Sequence, residues 1–143
     1  MKIIEKTFAI IKPDAVKAKN SGKIIDIIEK NGFEILDMKK INLTQSKAEK
    51  FYEEHKERSF FPELVQFMTS GPIIIMALAK TDAVNDWRNL MGVTDPKKAA
   101  HGTIRQLFGK GIGENAVHGS DSASSAVREL NLFFPELDQI QSS

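Results

Sequence analysis

Gly71-Pro72-Ile73-Ile74-Ile75-Met76-Ala77-Leu78 is the stretch from which the fold can be read. A Gly-Pro stop precedes six apolar residues with no alternation and three isoleucines in a row. Such a run reads as a central strand buried on both faces of a sheet. Upstream, Ser59 to Pro62 introduce a helix over Leu64, Val65, Phe67 and Met68. Before that, Ser46 followed by Glu49 resembles a capping box for a helix carrying Ala48, Phe51, Tyr52 and His55. Phe33 to Leu43 reads as a second strand with imperfect alternation. Ser21 can cap a helix with a stripe at Ile24, Ile27 and Ile28, which Asn31-Gly32 ends. Thr7 to Lys12 is a first strand closed by Pro13-Asp14, with Phe8, Ile10 and Lys12 on one face.

Downstream, Val84, Trp87 and Met91 mark a helix. Asp95 can cap a short helix with Pro96 at its first position and Gly102 at its end. Thr103 to Phe108 reads as helical. Gly109, Gly111 and Gly113 form a loose connection to a short fourth strand, Asn115 to His118. Asp121 or Ser122 starts a last helix carrying Val127 and Leu130. Alternating strands and helices imply an α/β (α+β) sandwich around one central sheet. The rhythm is compatible with a ferredoxin-like sheet carrying extra helices, although periodicity does not give strand order. Leu132, Phe133 and Phe134 could serve either an interface or the core.

The chain has 143 residues, the size of one domain with one sizeable core. Twenty basic and nineteen acidic residues leave a formal charge of +1, which argues against a broad nucleic-acid or anionic-membrane footprint. There is no cysteine, so disulfide and thiolate chemistry are excluded and a reducing compartment fits. The N-terminal residues show no signal-peptide pattern. The longest apolar run, Pro72 to Ala79, is far below the roughly 20 residues a spanning helix needs. A cytoplasmic location is the expectation.

His118 closes the short strand just before Gly119 and the Ser120-Asp121-Ser122 run. Strand ends beside helix N-termini are natural anion sites, because backbone N–H groups and the helix dipole point there. A lone histidine in such a place can simply bond a turn, but histidine is also a nucleophile when a partner orients it. Glu129 lies seven residues past Ser122, roughly 10 Å along a helix, and could point back to the strand end. Taken alone, it reads as a solvated glutamate, and Lys12, Arg88 and Arg105 as surface charges. Tyr52 reads as core. One of Phe60 and Phe61 should be exposed and free to stack on a base. His55 and His101 read as structural or surface residues. No phosphate loop, dinucleotide fingerprint, protein-kinase loop or metal-spaced cluster is present, so any nucleotide phosphates would have to be bound by side chains.

Together these residues closely resemble the nucleoside diphosphate kinase family. Asn115-Ala116-Val117-His118-Gly119-Ser120-Asp121-Ser122 is similar to its highly specific active-site signature. The likeness extends over Thr7 to Val16, His55 to Phe61, Met91 to Pro96 and Gly102 to Arg105, and the short C-terminus is like that of compact bacterial-type members. The resemblance implies a ferredoxin-like βαββαβ core with a four-stranded antiparallel sheet and additional helices. It also implies a magnesium-dependent ping-pong transfer between nucleoside tri- and diphosphates (ATP, GTP, ADP, GDP and deoxy forms), and a homo-oligomer, tetramer or hexamer. Mg2+ would enter with the nucleotide, with no direct protein ligand.

Residue by residue, the resemblance makes His118 the phosphorylated nucleophile, Glu129 the carboxylate that orients it and Ser120 a hydrogen-bonding helper. It makes Lys12, Arg88, Thr94 and Arg105 phosphate ligands, and puts Lys12 and Asn115 near the sugar 3′-hydroxyl. Phe60 would stack on the base, Ile112 would cover its other face, and Tyr52 would lie near the histidine. Apolar contacts to the base imply tolerance of base identity. Ser59 and His101 depart from prolines common in the family. Serine leaves φ free, so the Phe60 loop should be more mobile. His101 could modulate phosphate affinity near Arg105 between about pH 6 and 7. Two other readings compete. One is a nucleotide-binding or phosphohistidine signalling module without turnover, against which the Lys12, Arg105, His118 and Glu129 set argues. The other is an interaction scaffold, which the near-zero charge disfavours.

Overall fold

A computed structural model describes residues 4–137. Strand β1 (Ile4–Ile11) is followed by α1 (Pro13–Lys17), α2 (Ser21–Lys30) and β2 (Glu34–Ile41). Helix α3 (Gln45–Phe51), a 3-10 turn over Glu53–His55 and α4 (Phe61–Met68) lead into β3 (Ile73–Thr81). Then come α5 (Ala83–Met91), α6 (Ile104–Phe108), β4 (Val117–Gly119) and α7 (Ala123–Phe133). The four strands form one antiparallel sheet in the order β2-β3-β1-β4. The fold is the ferredoxin-like arrangement, with α3 and α4 as the additional helices between β2 and β3.

The apolar run in β3 does what its composition predicts. Ile74, Met76 and Leu78 join Ala9 and Ile11 of β1 in a core layer under α2 and α5, around a fully buried Trp87. Ile73, Ile75 and Ala77 join Phe8 and Ile10 in a second layer under α3, α4 and α7. Successive side chains point to opposite faces, so an unbroken apolar strand is what a doubly covered central position requires. Phe133 and Phe134 belong to this second layer, with the Phe133 ring stacked 5.0 Å from Phe8, so both lie in the core. Val127, on the same helix, is exposed.

Several boundaries differ from the sequence reading. Strand β1 begins at Ile4, three residues before Thr7. Helix α2 takes Asn20, not Ser21, at its cap, with no side-chain cap bond. Helix α3 is capped by Thr44, whose hydroxyl accepts from Lys47 N–H, and not by Ser46. Asp95 caps a turn instead of a helix, its carboxylate accepting from Lys97 N–H. Ser122 is the cap of α7, accepting from Ser125 N–H. At α3 and α7 a second Ser or Asp lay nearby, and the side-chain bond to a helix N–H singles out Thr44 and Ser122. Strand β4 starts at Val117, because the backbone at Ala116 turns with φ +76°.

Candidate active site

His118 lies on edge strand β4, opposite Ile10 of β1. Its ring faces the second core layer, edge-on to Phe51 at 5.1 Å and to Phe8 at 6.2 Å. Apolar rings hold the imidazole on two sides, and a polar relay holds it on a third. Nε2 lies 3.0 Å from Oε1 of Glu129, and the Ser120 hydroxyl donates to the same oxygen at 2.8 Å. The side chain of Glu129 is 8% exposed and that of His118 20%. Glu129 is therefore not solvated; α7 aims it at the strand end. Ser120 hydroxyl also accepts from Phe8 N–H across the sheet, at 3.4 Å. Gly119 is required at its position, since a Cβ there would meet Trp87 Cδ1 at 2.5 Å. Trp87 in turn donates its indole N–H to the His118 carbonyl at 3.2 Å.

His118 opens into a cleft of about 650 Å³ between the α3–α4 region and the segment from α5 to α6. Lys12, Arg88 and Arg105 line it with His118, so the three expected cations do converge. Lys12 is the N-cap residue of α1, and its ammonium donates to Asn115 Oδ1 at 2.8 Å. Burial, and then the nearby Arg105 charge, pull its pKa from 10.5 down to about 8, with Asp14 opposing. Arg105 is buried, not a surface charge. Its guanidinium donates to the Gly92 carbonyl at 3.0 Å and to the Val117 carbonyl at 2.9 Å. Burial and then Arg88 lower its pKa to about 10. Arg88 is more open and pairs with Asp121 at 2.6 Å.

The other expected residues divide into three groups. Tyr52, Phe60 and Thr94 line the cleft. Tyr52 is buried in the second core layer, and burial followed by the Glu129 charge pushes its phenol upward. Phe60 is 47% exposed with its ring 5.7 Å from His55. Asn115 and Ser120 stand behind the cleft, joined to it through Lys12 and Glu129. Asn115 also donates to the Thr94 carbonyl at 3.1 Å. Ile112 is 64% exposed and is not among the residues lining the cleft. His101 is exposed and likewise outside the lining, although Ala100 and Thr103 on either side belong to it.

Glu54, His55 and Asp121 also line the cleft without having been singled out for it. His55 sits beside Phe60, and the Tyr52-to-Phe61 segment winds through consecutive turns. In these, His55 N–H donates to the Tyr52 carbonyl, Arg58 N–H to His55 and Phe61 N–H to Arg58. That ladder of turns runs across Ser59. The sequence held one cue to Asp121, its place in the Ser-Asp-Ser run after His118.

A family model described as nucleoside diphosphate kinase matches residues 5–139. The chain belongs to the nucleoside diphosphate kinase family. Its relatives include the nucleoside diphosphate kinase of Geotalea uraniireducens, 53% identical over 96% of this chain and 100% of that protein. The one from Bdellovibrio bacteriovorus is 57% identical over 92% of this chain and 93% of its own length. Among solved structures, an orthorhombic crystal form of the Aquifex aeolicus nucleoside diphosphate kinase superposes with a TM-score of 0.90. It is 42% identical and covers 92% of this chain and 96% of its own. Members of such a family are phosphotransferases. No helix among the described residues is long and apolar enough to cross a membrane.

Proposed function

We propose that this chain moves the terminal phosphate of a nucleoside triphosphate to a nucleoside diphosphate by a ping-pong route, with His118 carrying the phosphate between them. The observation that supports this best is the His118–Glu129 contact beside three cations in one cleft. An ionised Glu129 can only accept, so its bond to Nε2 keeps the ring proton there and leaves the lone pair on Nδ1. Nδ1 then attacks the terminal phosphorus. The N–P bond forms as the bond to the bridging oxygen breaks, and the diphosphate leaves with that electron pair. In the second half, the terminal oxygen of another diphosphate attacks the same phosphorus and Nδ1 recovers its lone pair.

The transition state is loose, with charge on the equatorial oxygens, so positioning and electrostatics do the catalysis. Lys12, Arg88 and Arg105 supply positive charge, and the Thr94 hydroxyl a further donor. Glu129 stabilises the ring as it gains positive charge, and Ser120 steadies Glu129. Tyr52 lies beside this pair. The Lys12–Asn115 contact faces the sugar 3′-hydroxyl. Phe60 stacks on the base, and Ile112, exposed outside the cleft lining, is assigned its far side by the family resemblance alone; such apolar contacts leave base edges unread and let adenine, guanine and deoxy substrates share the site.

Mg2+ belongs to this reading as part of the nucleotide complex. Glu54 and Asp121 give the cleft hard carboxylate oxygens, so the donor set suits a hydrated magnesium–phosphate group. When bound, the ion neutralises phosphate charge. The reading includes a cytoplasmic homo-oligomer, tetramer or hexamer. Strand β2 is a sheet edge with Leu36 and Met38 exposed, which agrees with a covered edge. The test is labelling by γ-phosphate-labelled ATP. Acid-labile label should appear on the parent, be absent from His118→Ala, and pass to added GDP. Label retained by His118→Ala sinks the reading. Label that forms but never passes to GDP favours a phosphohistidine module without turnover.

A further inference from the structure

Just ahead of His118 the backbone does something unusual. Val117 N–H donates to the Asn115 carbonyl at 2.9 Å, closing a three-residue γ-turn around Ala116. Ala116 has φ +76°, a conformation that costs an L-residue with a side chain and is rare in this turn. Strain of this kind persists only where the surroundings over-determine it. Here they do. Lys12 N–H donates to the Ala116 carbonyl at 2.8 Å, and Ala116 N–H donates to Oδ2 of Asp14 at 3.1 Å. Both polar groups of the strained residue are thus held by one turn of chain, Lys12 to Asp14. Asp14 is itself buried, and Ala116 fully so.

The position of this turn gives it consequence. Asn115, on one side, accepts from the Lys12 ammonium; His118, two residues on the other side, meets Glu129. We propose that Asp14 is a positioning residue for phosphoryl transfer: by holding the γ-turn at Ala116 it sets Asn115 and His118 in register with Lys12. The inference rests on the transfer reading above and assigns Asp14 no contact with substrate. A relaxed turn would shift Asn115 and the start of β4 together, and small displacements of reacting groups are costly. Asp14 has a second influence. The charged groups facing Lys12 are Arg105 from α6 and Asp14 from α1, and Asp14 opposes the fall in the Lys12 pKa.

Three variants of the full chain test this by single-turnover phosphohistidine formation, nucleotide KM and thermal melting. Asp14→Ala is expected to slow labelling about 10- to 100-fold with KM changed less than about threefold. Asp14→Asn keeps an oxygen that accepts from Ala116 N–H, so its rate at pH 7 should return to within about threefold of the parent. Its alkaline limit should move to lower pH, because Lys12 loses a negative neighbour. Asp14→Ala/Ala116→Gly should also recover most of the rate, since glycine takes positive φ without strain. A folded Asp14→Ala with the parental rate overturns the proposal. So does an Asp14→Asn as slow as Asp14→Ala, or a folded double variant without recovery. If Asp14→Ala alone does not fold, the double variant carries the decision. Failure of the transfer reading is separately visible, as label retained by His118→Ala.

Discussion

Oε1 of Glu129 lies 3.0 Å from Nε2 of His118, although the two residues sit on different elements, α7 and β4. The same oxygen receives the Ser120 hydroxyl at 2.8 Å. One buried carboxylate oxygen therefore meets both the imidazole and the Ser120 hydroxyl and sets the ring's orientation. Glu129→Gln keeps an acceptor but loses the charge that offsets a developing imidazolium. We expect kcat to fall about 100-fold with nucleotide KM little changed. Steady-state kinetics with ATP and a diphosphate acceptor would check this, and an unchanged kcat would remove Glu129 from the mechanism.

The pH profile should carry the mark of Lys12. Its pKa is lowered from 10.5 to about 8, so this cation in the cleft is present below pH 8 and lost above it. The sign follows directly: kcat/KM should decline as pH rises through about 8, well before an ordinary lysine would titrate. A profile flat to pH 10 would show that the Lys12 charge is not required.

Ser120→Ala removes a donor to Glu129 and leaves Phe8 N–H with one acceptor fewer. Loss of a buried hydrogen bond of this kind costs about 1 to 3 kcal/mol. Urea denaturation should register that loss, and kcat should fall less than in Glu129→Gln. Unaltered stability would mean that the relay has another anchor.

Gly119→Ala tests the packing that supports the histidine. The added Cβ would lie 2.5 Å from Trp87 Cδ1 and 2.7 Å from Met91 Cε. The methionine end can move, but the indole is fully buried and bonded to the His118 carbonyl. Overpacking of this kind destabilises by about 1 to 3 kcal/mol. A parental melting midpoint would contradict the tight contact.

Phe60→Ala should weaken nucleotide binding. A base stacked on an aromatic ring contributes about 1 to 3 kcal/mol, so KM should rise about tenfold, and similarly for adenine and guanine substrates. An effect confined to one base would point to hydrogen-bond readout in place of stacking.

Local chemistry made much of this protein legible. The unbroken apolar run of β3 announced a strand covered on both sides, and both core layers meet on it. Asn31-Gly32 ended α2 as glycine with φ +87° should. Residues whose meaning depends on neighbours were harder. Glu129 read alone as solvated and Arg105 as a surface charge, yet both are buried. Asp14 drew notice only as the end of a strand, although its carboxylate accepts from Ala116 N–H, two residues before His118.

From the residues themselves came the alternation of elements, the central strand and the signature around His118. Each is encoded by side chains close together in the chain, where periodicity and turn chemistry act. Tertiary structure alone decided that Lys12, Arg88, Arg105, Glu129 and His118 share one cleft. It decided too that Lys12 to Asp14 grip Ala116, about a hundred residues away. Such contacts have no local signal, because burial, charge pairing and backbone strain are set by what the folded chain brings alongside.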